Sequence, residues 1–192
     1  QIGNHSVIGG NLNASVPNIY LNGCTFQGTV DITKTGGSDN PSSGGNIFNR
    51  PCTLTNNSSA YLLMGNTKPD IWNDDLHLVN TGSNRILPAW ATVGNEFNGN
   101  IYLNATGSSA GIQFCGGNNS ASAILSAGKT IQSGSLGLNS GNLILKQFTQ
   151  LGNEPVNLLM GNTATFIQFG PSSQFGGDIT TASPGLLFNG CI

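Results

Sequence analysis

The chain has 192 residues, enough for one domain with its own core. Only 7% of it is charged, and 6 basic against 8 acidic residues leave a net charge of −2. That charge is too small to steer a partner, there is no basic stripe to suit nucleic acid, and no apolar run approaches the roughly 20 residues that span a bilayer. Neither nucleic acid nor membrane insertion is expected. The 28 Gly and 26 Asn are unusual, but 37% of the chain is hydrophobic and the apolar residues recur at regular intervals, unlike a disordered polar linker. The chain starts at Gln1 with no Met and no signal-peptide pattern, which predicts a processed chain or a piece of a longer one.

Along the chain one pattern returns. A large apolar anchor occurs at Ile8, Phe26, Phe48, Trp72, Phe97 and Phe175. Four residues after each stands Leu12, Val30, Cys52, Leu76, Ile101 or Ile179. Six residues after each stands Ala14, Ile32, Leu54, Leu78, Leu103 or Thr181. The residues between them are mostly polar (Asn13, Asp31, Thr53, His77, Tyr102, Thr180). This period of two predicts short strands with one buried face. A second apolar triplet follows at Ile19–Leu21, Tyr61–Leu63, Ile112–Phe114 and Leu186–Phe188. LLMGNT occurs twice, at Leu62–Thr67 and Leu158–Thr163. Between Phe97 and Phe175 the pattern is less regular. There Gly141–Leu145 echoes Gly99–Leu103, and the 121–134 stretch supplies another coil. The segment 35–45 (TGGSDNPSSGG) carries no apolar residue and is read as a projecting loop.

A longer repeat encloses the short one. Residues 3–25 align without a gap to residues 170–192, an offset of 167. Eight positions are identical: Gly3, Ser6, Gly9, Gly10, Pro17, Asn22, Gly23 and Cys24 recur as Gly170, Ser173, Gly176, Gly177, Pro184, Asn189, Gly190 and Cys191. Residues 1–192 are therefore read as a single domain: one repeat, 3–169, plus the first coil of the next, 170–192. Short strands recurring in one direction predict an all-β fold, a parallel β-helix (β-solenoid) of about eight coils of roughly 21 residues. The runner-up, an antiparallel sandwich, would show hairpin turns every 8–12 residues or so. Asn and Gly suit the corners, where Asn can bond to its copy one coil away. End-to-end stacking is assigned to Gly9, Gly10, Leu12 and Asn22 at one end and to Gly176, Gly177, Ile179 and Asn189 at the other. An uncapped strand edge invites such pairing, so the expected partner is the chain itself.

The segments Phe97–Phe114 and Ile19–Asn40 resemble the long tandem repeats of giant secreted surface proteins of Bacteroidetes. The resemblance implies a bacterial cell-surface adhesin or filament-forming stalk, exported by a type IX route, and it carries no catalytic residues over.

Other chemistry finds little support. Cys52 falls at a core position, while Cys24, Cys115 and Cys191 lie at corners, where an intermolecular disulfide is the alternative to a free thiol. Asp70, Asp74 and Asp75 surround Trp72 with His77 beyond, yet they follow no calcium-loop pattern and read as a solvated edge. No paired carboxylates, zinc spacing or Ser/His pairing suggests catalysis, a metal or a cofactor. Trp90, Tyr20 and Tyr61 would stack on sugar rings if exposed, which keeps polysaccharide or a host surface as a second kind of partner. The outward Thr positions are too irregular for ice binding. The sequons at Asn57 and Asn104 follow from composition.

Overall fold

The computed structural model describes residues 2–3, 5–107, 111–161 and 163–191, with the backbone alone at 40 and 41. Asn162 in the second LLMGNT, Ile192 in the end match and residues 108–110 lie outside the described residues. The described residues are all-β without a helix, and every strand pair is parallel.

Three long sheets account for nearly all strands. The first stacks seven short strands, Val7–Ile8, Thr25–Phe26, Ile47–Phe48, Ile71–Trp72, Asn95–Phe97, Ala123–Leu125 and Phe148–Gln150. The second stacks eight, Leu12–Val16, Val30–Lys34, Cys52–Asn56, Leu76–Asn80, Ile101–Ala105, Ile131–Leu138, Val156–Leu159 and Ile179–Ala182. The third stacks seven, Asn40–Pro41, Leu62–Leu63, Ile86–Leu87, Ile112–Phe114, Gly141–Leu145, Ala164–Phe169 and Leu186–Phe188. Ile2–Gly3 and Leu21–Asn22 form a separate pair, joined toward the third sheet by a bridge from Asn22 to Gly44. The chain visits the three sheets in turn, so strands pair with the strand three places later until the last rung, which has no first-sheet strand. One such passage is called a rung below.

The alternation read from the sequence appears as burial. In Cys52–Asn56 and Leu76–Asn80 every second residue is buried, and Val30 is paired with Cys52, which is paired with Leu76 and then Ile101. Parallel pairing in register brings like side chains into columns along the stack. Phe26, Phe48, Trp72 and Phe97 are fully buried and lie face to face at centroid spacings of 5.0, 5.6 and 4.6 Å. The column continues edge-on through Phe114 and Phe148 and face-on to Phe175. Each such pair adds about 0.5–1.5 kcal/mol beyond its buried area. The other inward residues complete one continuous core cluster. At an exposed corner the amides pair rung to rung: Asn49 Nδ2 donates to Gln27 Oε1 (3.1 Å), Asn73 to Asn49 (2.8 Å) and Asn98 to Asn73 (3.1 Å).

The structure corrects three expectations. The step between paired residues grows from 18 (Val7 to Thr25) to 28 (Glu96 to Ile124). Seven steps carry Val7 to Gln174, so the offset between the matched ends contains seven rungs, each longer on average than the coil length expected from the sequence. The segment 35–45 is no projecting loop: it supplies Asn40–Pro41 of the third sheet and buries Ser42. Gly141–Leu145 lies in the third sheet against Ile112–Phe114, not in the column of Ile101 that its sequence echoes. That column is continued by Ile131, whose strand then slips register against Leu103–Ala105. The slip inserts residues around Gly134–Gly137, which is why the sequence pattern blurs there.

Removing the Phe48 ring would leave a void between two stacked neighbours. Phe48→Ala should lower unfolding free energy by about 3–5 kcal/mol in a urea titration, whereas the exposed Asn49→Ala should cost under about 1 kcal/mol.

Candidate functional site

The ends of the stack are the least covered apolar surface. On the last rung, Ile179, Leu186, Leu187 and Phe188 are 38%, 49%, 46% and 63% exposed. Ile179–Ala182 and Leu186–Phe188 are the outermost strands of their sheets. Beside them a hollow of about 180 Å³ is lined by Phe169, Phe175, Phe188 and Cys191. Of the matching residues of the first rung, Ile19 and Leu21 are covered by the rung that follows, at 5% and 2% exposed, and Leu12 is half-buried, whereas Tyr20, the match of Leu187, is 39% exposed on the outer face. At the other end Val7–Ile8 and Leu12–Val16 are the outermost strands. There a cavity of about 100 Å³ opens among Ile2, Leu12, Ala14, Val16, Ile19 and Leu21.

The two end rungs are built alike. Ile2 pairs with Leu21, and at the matching positions of the last rung Phe169 pairs with Phe188. The His5 N–H donates to the Gly23 carbonyl at 2.9 Å, and the Ser172 N–H to the Gly190 carbonyl at 3.0 Å. His5 and Ser172 both take left-handed backbone, with φ of 64° and 58°. Gly23 and Gly190 do so at 68° and 70°, a conformation in which glycine carries no steric penalty. Of the residues named from sequence for stacking, Gly9, Gly10, Leu12 and Asn22 lie on the first rung, with Leu12 half-buried. Asn22 Oδ1 accepts the Ser43 N–H at 2.8 Å. Gly176, Gly177, Ile179 and Asn189 hold the same places on the last rung. Among the named core residues, Phe26, Phe48, Trp72, Phe97, Val30, Cys52, Leu76 and Ile101 are buried. Ile8, Leu12 and Phe175 are partly buried and Ile179 is exposed, because each belongs to a terminal rung.

Inside the stack runs a polar column that the sequence reading missed. It runs through Cys24, Asn46 and Asp70, each just before a first-sheet strand, and Asn95, the first residue of the next. Asn46 Oδ1 accepts the Cys24 N–H at 3.1 Å, Asp70 Oδ1 accepts both the Asn46 N–H and Nδ2 at 2.8 Å, and Asn95 Oδ1 accepts the Asp70 N–H at 3.0 Å. Asp70 is therefore not part of a solvated edge. It is fully buried, and its Oδ2 has no hydrogen-bond partner. Burial pushes its carboxyl up to about 7, against the opposing pull of the Asn46 donors. Asp74 and Asp75 stay near the surface, where Asp75 Oδ1 accepts the Asn100 N–H at 2.8 Å. The three acids thus do not converge, and among the described residues no group of three or more His, Cys, Asp or Glu could hold a metal. Lys34, also missed, is buried at the end of its strand, where Nζ donates to the Gly36 carbonyl at 2.6 Å and to Ser58 Oγ at 3.0 Å. Its ammonium is pushed below the usual lysine range, first by burial.

Comparison with protein-family models, curated proteins and solved structures returns no match.

The remaining sequence candidates separate by burial. Cys24, Cys52 and Cys115 are fully buried free thiols, so Cys24 and Cys115 cannot reach a second chain in this fold. Burial pushes all three thiols up, Cys115 to about 12. Cys191 alone is exposed, whereas its counterpart Cys24 is covered by residues 25–45. Trp90 and Tyr61 are half-buried, and Tyr20 is 39% exposed. His77 stacks on Tyr102 at 4.6 Å on the outer face of the second sheet. The recess beside that pair is walled by Asn104, Gln132, Ser133 and Gly134 and contains no acid.

With a thiol reagent under native conditions, one thiol of the four should react quickly, and Cys191→Ser should abolish that fast phase. Asp70 gains its proton more readily folded than unfolded, so stability should be highest below the ordinary carboxylate range and fall as pH rises from about 4 to about 7, by up to about 4 kcal/mol. Denaturant titrations across that window should show the decline in the native chain and its loss in Asp70→Asn.

Proposed function

We propose that the chain is a parallel β-helix that serves as a structural repeat of an extracellular fibre or adhesin stalk and extends by end-to-end stacking of its rungs. The observation that carries this reading is the pair of like ends. Residues 170–191 match residues 3–24 at eight identical positions and share their Ile2–Leu21-type pairing and corner geometry, and they leave Ile179, Leu186 and Phe188 uncovered. Within the chain, every other rung covers such a face with the next rung. A second copy continuing the stack would bury the same face at little entropic cost, since both surfaces are already ordered.

The low charge fits a structural role, because the inward side chains stack on their copies one rung away. The irregular surface offers no paired carboxylates for hydrolysis, and the resemblance to secreted surface repeats favours an exported bacterial protein. Eight rungs at about 4.8 Å give a chain about 40 Å long. Electron microscopy of the purified, concentrated chain should show rods of constant width and lengths well beyond that value. Single particles of one chain length at every concentration would sink the proposal.

A further inference from the structure

Resting on that reading, the structure assigns the occupant of the open last rung: it is residues 25–45 of a second copy, with residues 170–191 of one chain taking the place of residues 3–24 of the next. The assembly is then an exchange of equivalent rungs, and not the placing of an intact first rung upon an intact last one.

The contrast lies in what the first rung demands of the rung above it. Inside the chain that demand is met by residues 25–45. Thr35 N–H donates to the Val16 carbonyl at 2.9 Å, and Gly36 N–H to the Pro17 carbonyl at 3.1 Å. Thr29 N–H donates to Asn11 Oδ1 at 3.0 Å. The last rung offers the same acceptors at its matching positions, in the Ser183 and Pro184 carbonyls and the Asp178 carboxylate.

An intact first rung fits this surface poorly. In the register Leu12↔Val30 through Val16↔Lys34, the residue that matches Thr35 is Pro17, which has no N–H to give the Ser183 carbonyl. The residue that matches Gly36 is Asn18. A Cβ on Gly36 would stand 2.5 Å from the Pro17 carbonyl oxygen, so Asn18 would drive its own Cβ into Pro184. Residues 25–45 carry neither fault. They also place Phe26 on Phe175, which continues the ring column that Phe148 and Phe175 already form at 5.6 Å. With the first rung, Ile8 would interrupt it.

The rung to be displaced is covered on one side only. Ile8, Leu12, Ala14 and Val16 are only partly buried, beside the cavity of about 100 Å³. Its replacement brings back equivalent hydrogen bonds and substitutes Phe175 and Phe188 for Ile8 and Leu21. Because the chain's own first rung competes at high effective concentration, exchange should be slow and strongly concentration-dependent.

Paired cysteines distinguish the two junctions. Asn11, Thr29 and Asp178 lie at the surface, so substitutions there leave the core intact. Two full-length variants in a Cys24→Ser, Cys191→Ser background, chosen because exchange would uncover Cys24, are oxidised after concentration: Asp178→Cys with Thr29→Cys, and Asp178→Cys with Asn11→Cys. In exchange, positions 178 and 29 become neighbours on adjacent strands, within disulfide reach. With an intact first rung between them they are two rungs apart, about 10 Å, and out of reach. The expected result is a ladder of disulfide-linked oligomers from the 178/29 variant and little from 178/11. The opposite result, oligomers linked through 178/11, would overturn the exchange while leaving end-to-end stacking in place. Sedimentation of the native chain serves as the control: a monomer at all concentrations would remove both.

Discussion

No rung of this protein has a core of its own. Each contributes two or three short strands whose inward side chains are covered only by the rung above and the rung below, at the spacing of a β-ladder. Every other feature answers to that constraint. Parallel pairing in register sets like beside like, so a position must suit its own copy one rung away. Aromatic rings meet this demand by stacking face to face, as Phe26, Phe48, Trp72 and Phe97 do. Amides meet it by donating from one copy and accepting at the next, as along Gln27, Asn49, Asn73 and Asn98. Charge meets it badly, since like charges would repel along a column, and this accounts for the scarcity of Lys, Arg, Asp and Glu in the chain.

The same constraint explains the two buried charged residues. Asp70 stands in a column whose neighbours are Asn46 and Asn95, and it is tolerated as a single acid between amides that donate to it or accept from its backbone. Lys34 stands beside Asn56 at the end of the second sheet, with its ammonium tied to a carbonyl and a hydroxyl. Neither faces a second copy of itself. Burial has altered the proton affinity of both, so the interior of the stack responds to pH although its surface is nearly neutral.

Covering by neighbours also means that the first and last described rungs each have one face uncovered. The last rung exposes Phe188 and Leu186 where the equivalent Leu21 and Ile19 are buried. An apolar β-sheet edge of this kind is a pairing surface unless something blocks it. Here the block is absent among the described residues, and the edge is a copy of one that the chain itself covers. The exposure of Cys191 has the same origin: its counterpart Cys24 is buried by the rung that follows.

The alternation of apolar and polar residues, the anchors at Phe26 to Phe97 and the match between residues 3–24 and 170–191 were legible from the sequence, because each depends only on spacing along the chain. They determined the strands of the first two sheets, the inward faces and the long period that relates the two ends. Tertiary structure decided what depends on partners from other rungs. It made 35–45 a strand-bearing segment through pairing of Asn40–Pro41 with Leu62–Leu63, though no residue there is apolar enough to announce it. It sent Gly141–Leu145 to the third sheet, because the inserted residues after Ser133 had already filled the second. It buried Asp70, whose neighbours in space, Asn46 and Asn95, stand 24 and 25 residues away along the chain. Local pattern sets which face of a strand turns inward, but only the register between rungs sets which side chain lies upon which.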